Sequence, residues 1–377
     1  MILIFGAVLS LLVTVMFMFA LRPLAIRTGL VDRPSGRKKH VGEVPIIGGI
    51  AMFIGMVFGV WLSIDMTIAF RYMIPAGALL ILVGVLDDRY GIPFSIRLSL
   101  QTCAALIMIL GGGLIISEIG DPFGLGTVHL GPAAVVFSVL VTLSVINAFN
   151  FIDGLDGLAG CISFVALLAV ACSGGWTEPA CIIAVIACGS IIGFLIFNLP
   201  FFVNRRLRSF MGDGGSTLLG LLVVWLTISI SQGESHQISP IAALWFALIP
   251  VSDFFRCLVQ RLMKGVSPFR PSREHLHHIL LRKGLNTRQT LAFMTGLSAL
   301  YAAIGLIGNN AGVPDSAMFT LWAVVGVSQY WIMTGSAALI RAGMADRAGR
   351  PALPEHNLTA LYESEANPNT VPEHTEK

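Results

Sequence analysis

Apolar stretches long enough to cross a bilayer dominate this chain, and they constrain its fold more than any other feature. Eleven can be read, near residues 2–21, 46–64, 70–86, 98–117, 132–147, 158–175, 179–198, 215–231, 239–257, 290–308 and 316–340. A transmembrane helix needs roughly 17–25 such residues, and inside lipid the helix satisfies every backbone N–H and C=O within its own segment. The sequence therefore reads as an all-α integral membrane protein, a bundle of about eleven transmembrane helices. Only 12% of its residues are charged, against roughly a quarter in a soluble domain. Residues 2–21 lack a basic leading region and run directly into Arg22, so they read as a retained first span rather than a secretory signal.

Charge placement orients the bundle. If the N-terminus is extracytoplasmic, every Lys and Arg except Arg71 falls on a cytoplasmic segment or at its edge, as the positive-inside rule requires. The C-terminus is then cytoplasmic. Residues 346–377, rich in Glu, Asn, Pro and Thr, read as a disordered cytoplasmic tail after a membrane domain spanning 1–345. The six cysteines lie mostly in apolar runs without metal-ligand or disulfide spacing, which fits small buried hydrophobes.

With that orientation, the patterned acidic and histidine-rich clusters all reach the cytoplasmic face, which argues for one site. The central stretch is Asn147 to Gly160, where Asp153 and Asp156 stand three residues apart among Gly154, Gly157 and Gly160. On a helix that spacing would place both carboxylates on one face, and each would raise the other's pKa unless a metal or basic group neutralised them. Asp87 and Asp88 end the third apolar run, with Arg89 as the obvious counter-ion. Gly212-Asp-Gly-Gly-Ser-Thr217 opens the eighth span; its backbone N–H groups and helix dipole suit a phosphate, and Asp213 suits a divalent cation. Carboxylates beside a phosphate substrate point to magnesium.

His275, His277 and His278 sit within four residues. Zinc would want further N or S ligands, so hydrogen bonding to a sugar or phosphate is the preferred reading, with Arg270 and Arg273 supplying positive charge. The basic segment Arg33 to His40 serves equally as a topology determinant that attracts anionic lipid or as a contact for a substrate phosphate.

Taken in order, Val31-Asp-Arg-Pro34, Arg37-Lys-Lys-His40, Pro45-Ile-Ile-Gly-Gly49, Leu86-Asp-Asp-Arg89, Asn147-Ala-Phe-Asn-Phe-Ile-Asp-Gly-Leu-Asp-Gly157, Phe210-Met-Gly-Asp-Gly-Gly-Ser216, Ser267-Pro-Phe-Arg-Pro271 and His275-Leu-His-His278 resemble the motifs of the polyprenyl-phosphate N-acetylhexosamine-1-phosphate transferases, the glycosyltransferase 4 type. Within that family the resemblance is to the undecaprenyl-phosphate N-acetylglucosaminyl-1-phosphate enzymes, and it covers about Gly29 to Gly343. It implies an eleven-span bundle in the bacterial cytoplasmic membrane with a cytoplasmic site. The implied reaction transfers N-acetylglucosamine-1-phosphate from the UDP-sugar to undecaprenyl phosphate and releases UMP, as the initiating step of a surface polysaccharide such as O-antigen.

The resemblance implies magnesium as cofactor, with manganese as an open substitute, and Asp213, Asp87 and Asp88 as its ligands. Asp87 and Asp88 would alternatively take a proton from the lipid phosphate. Asn150, Asp153, Asp156 and Asn198 would line the nucleotide pocket. His275, His277, His278, Arg270 and Arg273 would recognise sugar and pyrophosphate, with His275 counted among the catalytic residues. Lys39 and Arg97 would meet the lipid phosphate. The implied partners are a UDP-N-acetylhexosamine, undecaprenyl phosphate and the bilayer, with no nucleic acid and a homodimer left open.

The chain departs from the family pattern in three ways. Gly214 stands where relatives carry Ala or Val, and Leu276 where they carry Ile. Relatives place a lysine after the acidic pair, where this chain has Pro93, Phe94, Ser95 and Ile96, leaving Arg97 as the candidate cation. The peptidoglycan phospho-N-acetylmuramoyl-pentapeptide transferase is the nearest alternative within the family. A cation-coupled transporter is the rival outside it, but its carboxylates would lie near the midplane on broken helices. A prenyltransferase gives no reason for the histidines.

Overall fold

The computed structural model describes residues 2–33, 42–200, 207–233, 236–265 and 274–347. The chain order is α1 (Ile2–Thr28), β1 (Val31–Asp32), β2 (Val44–Pro45), α2 (Gly48–Trp61), α3 (Ile68–Tyr90), α4 (Phe94–Leu106), α5 (Ala134–Ile152), α6 (Leu158–Ser173), α7 (Pro179–Asn198), α8 (Gly212–Ser231), α9 (Pro240–Ala243), α10 (Leu248–Met263), α11 (Leu276–Arg282), α12 (Thr287–Asn310) and α13 (Asp315–Arg347). Eight of the described helical segments are long and apolar enough to cross a membrane, and two shorter apolar helices, α2 and α6, occupy a further pair of the expected spans. The protein is an all-α integral membrane protein. Its main compact unit is Met1–Tyr330; a second unit, Trp331–Lys377, contributes the end of α13 to the described residues. The expected tail beyond residue 347 lies outside them.

Small residues set the helix packing, as expected where lipid tails compete equally for apolar side chains. Buried Gly6, Ser10, Thr14 and Met18 recur every fourth residue along α1. A Cβ at Gly55 or Gly59 of α2, or at Gly193 of α7, would run into that stripe, and one at Gly189 of α7 would run into the adjacent backbone of Ala7.

The Pro45-Ile-Ile-Gly-Gly49 motif has a structural task. β1 and β2 pair antiparallel in the register Val31↔Pro45. Beyond the pair the strand runs onto the segment before α8: Phe210 N–H donates to Pro45 O at 2.9 Å, and the N–H groups of Gly48 and Gly49 donate to Phe210 O and Met211 O, both at 3.0 Å. The start of α2 is thereby zipped to the start of α8. Gly49 and Gly215 must both lack a side chain, because a Cβ on Gly49 would lie 2.5 Å from the Gly215 Cα.

Two sequence expectations are corrected. The fifth span does not stop near 147; α5 continues to Ile152, which puts Asn147 and Asn150 one turn apart on its last turns. Asp153 and Asp156 do not share a helix face, because they lie in the connection between α5 and α6, where Gly157 adopts φ +78°. That left-handed conformation suits glycine and breaks the helix between the acids and α6.

Candidate active site

The ends of α3, α4, α5 and α8 converge on Asp213. It is the second residue of α8, and its backbone N–H donates to Asp88 Oδ2 at 3.2 Å. Asp88 thus occupies the helix N-terminus that the sequence reading offered to a phosphate, a placement the dipole favours. Gly212 allows it: at φ +76°, its missing Cβ leaves room for Ile46 and the Asp88 carboxylate. The close approach comes from Gly84 on α3, where a Cβ would fall onto the backbone of Gly214.

The Asp213 side chain is held from two sides. Asn150 Nδ2 donates to Asp213 Oδ1 at 3.2 Å and to Ser216 Oγ at 3.0 Å. Arg97 Nη1 lies 3.0 Å from Asp213 Oδ2 and also pairs with Asp87 Oδ2. The other Asp87 oxygen accepts from Ile92 N–H at 2.7 Å, so Asp87 closes the turn at Gly91 while facing the site. Arg97, not the adjacent Arg89, is therefore the cationic partner of Asp87. One turn along α4, Gln101 Oε1 accepts from Asn147 Nδ2 at 2.8 Å, which ties α4 to α5 and fixes the origin of the Arg97 side chain.

The Asp153–Asp156 loop forms a second wall. Asp156 pairs with Arg208 Nη2, whose guanidinium stacks over Phe210 at 5.1 Å. Asp153 keeps some accessible surface, yet burial first, and then the charges of Asp213, Asp156 and Asp88, push its carboxyl up to about 8. At neutral pH it can therefore donate a hydrogen bond as well as accept one; a nearby cation would reverse this. Asn198 uses both ends of its amide on backbone, accepting from Gly157 N–H at 2.6 Å and donating to Ser209 O at 2.9 Å. It clamps the loop to the segment before α8.

The histidines close the same end of the bundle. His277 is fully buried, and its Nε2 lies where a Cβ on Gly154 would be. Neither of its ring nitrogens has a hydrogen-bond partner among the described residues, and burial, reinforced by His278, holds the imidazole down at about 3. A neutral, unpartnered imidazole facing Gly154 costs about 1–3 kcal/mol, which a ligand with polar atoms could recover. His275 is stacked against it at 5.9 Å and reaches Phe151 of α5 at 5.7 Å.

The sequence reading missed Asp253. This buried residue of α10 accepts from His275 Nδ1 at 2.7 Å, Leu276 N–H at 3.0 Å and Arg256 Nη2 at 2.8 Å. A carboxylate inside a predicted span, one turn from a buried arginine, was the available signal. Asp253, Cys257 and His275 lie close enough together to suggest a cation site. Arg256 Nη2, however, also lies 3.2 Å from Cys257 Sγ, so a guanidinium already supplies the positive charge. Asp253 therefore docks the histidine segment onto α10. Asp253→Ala is expected to destabilise the protein by about 3 kcal/mol, since it leaves a buried guanidinium without its carboxylate and with only Gln260 and the Glu274 carbonyl as oxygen acceptors, and Asp253→Asn by less. Thermal unfolding in detergent measures this; equal melting of Asp253→Ala and wild type would show that Gln260 and the Glu274 carbonyl suffice for Arg256. Arg270, Arg273 and Lys39 lie outside the described residues.

These carboxylates belong to a matched pattern. A profile described as glycosyl transferase family 4 matches residues 70–231, the interval carrying Asp87, Arg97, Asn150, Asp153 and Asp213. The chain is 38% identical over 311 residues to a Yersinia pestis protein named undecaprenyl-phosphate alpha-N-acetylglucosaminyl 1-phosphate transferase, covering 81% of this chain and 84% of that one. This chain belongs to glycosyl transferase family 4. Family members of the same name from Escherichia coli strain K12 and Haemophilus influenzae are 38% and 37% identical, covering 82% and 83% of this chain and 85% and 87% of theirs. Resemblance by motif and likeness along most of the chain thus lead to one family, and the transporter and prenyltransferase readings find no support.

Proposed function

We propose that this protein transfers N-acetylglucosamine-1-phosphate from UDP-N-acetylglucosamine to undecaprenyl phosphate, forming undecaprenyl-pyrophosphoryl-N-acetylglucosamine and UMP. The observation that carries the reading is the convergence of Asp87, Asp88 and Asp213 with Asn150 and Arg97 at one end of the bundle, in a chain so similar to enzymes of that name. The substrates are the ones those names imply. The proposed setting is the bacterial inner membrane, with eleven crossings, the N-terminus outside and this end toward the cytoplasm, an orientation that the positive-inside distribution supports.

Phosphoryl transfer is mostly positioning and charge neutralisation. A non-bridging oxygen of the lipid phosphate attacks the β-phosphorus of the UDP-sugar, the bond from that phosphorus to the α-phosphate oxygen breaks, and UMP leaves with the bonding electrons. The acceptor is already an anionic nucleophile, so no covalent relay on an aspartate is needed. Magnesium suits the donor set: Asp87 and Asp213 offer hard oxygens from facing helices, with Asp88 behind them. When bound, it would neutralise charge on the pyrophosphate and on the leaving UMP. Asn150 keeps Asp213 turned toward Asp87. The Asp153 loop and His277 present polar atoms on the opposite wall, suited to the nucleotide and sugar.

The test is UMP release by the purified protein in detergent with UDP-N-acetylglucosamine and undecaprenyl phosphate, in magnesium or in EDTA. Release that requires both the lipid and the metal is expected. Release only with a different UDP-N-acetylhexosamine would keep the mechanism and change the donor; no release with any nucleotide sugar would overturn the reading.

A further inference from the structure

Arg97 makes its hydrogen bonds to the carboxylates through a single nitrogen, while its guanidinium lies over the Phe94 ring at 5.7 Å. Nη1 touches Asp87 Oδ2 and lies 3.0 Å from Asp213 Oδ2, so one atom contacts one oxygen from each carboxylate. A divalent ion bridging those oxygens needs both at about 2.0–2.1 Å from one point. The guanidinium and the ion therefore cannot occupy that place together.

We propose that Arg97 is a built-in competitor of the divalent cation. It bridges Asp87 and Asp213 until the cation takes their oxygens, and the released guanidinium then binds the phosphate of the acceptor lipid. This extends the transferase reading above and rests on it. Three observations support it. Arg97 is in the first turn of α4 and its side chain is 22% exposed, so it has room to turn. Its Nε is buried with no hydrogen-bond partner among the described residues, so the bridging position leaves it incompletely satisfied. A phosphate would offer the paired acceptors a guanidinium fork prefers. Finally, Gln101 and Asn147 hold α4 one turn further along, so the exchange requires a side-chain rotation and no helix movement.

Thermodynamic linkage follows. A cation that frees Arg97 favours phosphate binding, and a phosphate that captures Arg97 favours the cation by the same factor. Metal and acceptor thus bind cooperatively through one residue, which would couple loading of the cation to arrival of the lipid.

The experiment measures Mn²⁺ binding by electron paramagnetic resonance for wild type and Arg97→Gln, each with and without undecaprenyl phosphate. Without lipid, Arg97→Gln is expected to bind Mn²⁺ about tenfold more tightly, the scale of an ordinary coupling. Adding lipid should tighten Mn²⁺ binding in wild type and do so several-fold less in the variant. Equal or weaker Mn²⁺ binding by Arg97→Gln would overturn the proposal while leaving the transferase reading intact. If wild type binds no Mn²⁺, the metal reading fails and the proposal with it. A second measurement needs no variant: phenylglyoxal modification of Arg97 in the wild-type protein, read by mass spectrometry, should accelerate with magnesium and slow again when lipid phosphate is added. A rate indifferent to magnesium would also overturn it.

Discussion

Replacing Asp213 with Asn is expected to lower the rate of UMP release by about 10²–10³-fold or more, the loss typical of removing one group that stabilises developing charge. The substitution changes little in shape. The start of α8 keeps its Asp88 cap on the residue-213 N–H and its zipper to Gly48 and Gly49, so the fold should persist. What disappears is the charge that Asn150 orients and that Arg97 shares with Asp87. A neutral carboxamide oxygen holds a hard cation less strongly than a carboxylate, and here it would leave Asp87 as the one carboxylate paired with Arg97. Steady-state UMP release, with thermal unfolding alongside, reads both consequences. A variant that keeps more than a tenth of wild-type activity would remove Asp213 from the centre of the site.

Gly84→Ala carries the second large effect, although residue 84 bears no functional group. α3 and α8 cross so closely there that a Cβ on Gly84 would lie well inside 3.0 Å of the Gly214 backbone. Backbone cannot rotate away as a side chain can, so the helices must separate. Overpacking of this kind costs about 1–3 kcal/mol. The larger effect is on geometry, because Asp87 and Asp88 follow on α3 and Asp213 precedes the crossing on α8. A displacement of about 1 Å between reacting groups can cost 10²-fold in rate, and that loss is expected with a modest fall in melting temperature. Gly214→Ala provides the control. Its Cβ would meet Ile81 O at 3.0 Å and Ile81 Cα at 3.2 Å, contacts that a shift of a few tenths of an ångström relieves, against the full ångström that Gly84→Ala demands. Wild-type activity in Gly84→Ala would mean that the carboxylates do not depend on this crossing.

Hydropathy determined where the helices lie, because a bilayer demands long apolar segments and little else. The chemistry-bearing residues were legible as clusters for the same reason: carboxylates and histidines at the edge of apolar runs are costly, so they stand out. Their partners were not. Arg97 lies ten residues from Asp87 and 116 from Asp213, and no local pattern says that its guanidinium joins them. Asp156 finds Arg208 across 52 residues, and Asp253 finds His275 across 22. The helical face expected for Asp153 and Asp156 failed because spacing alone cannot tell that α5 ends at Ile152 and that both acids lie in the connection before Gly157 and α6.

The sequence by itself therefore determined the membrane class, the approximate helix positions and most of the reactive groups, all properties of short segments and the solvent around them. Only the tertiary structure decided which cation faces which carboxylate, that Asp88 caps α8 and that Asn198 clamps backbone. Those pairings depend on how closely α2, α3 and α8 approach. That approach rests on glycines facing one another across interfaces, a relation between distant segments that no single stretch of chain contains.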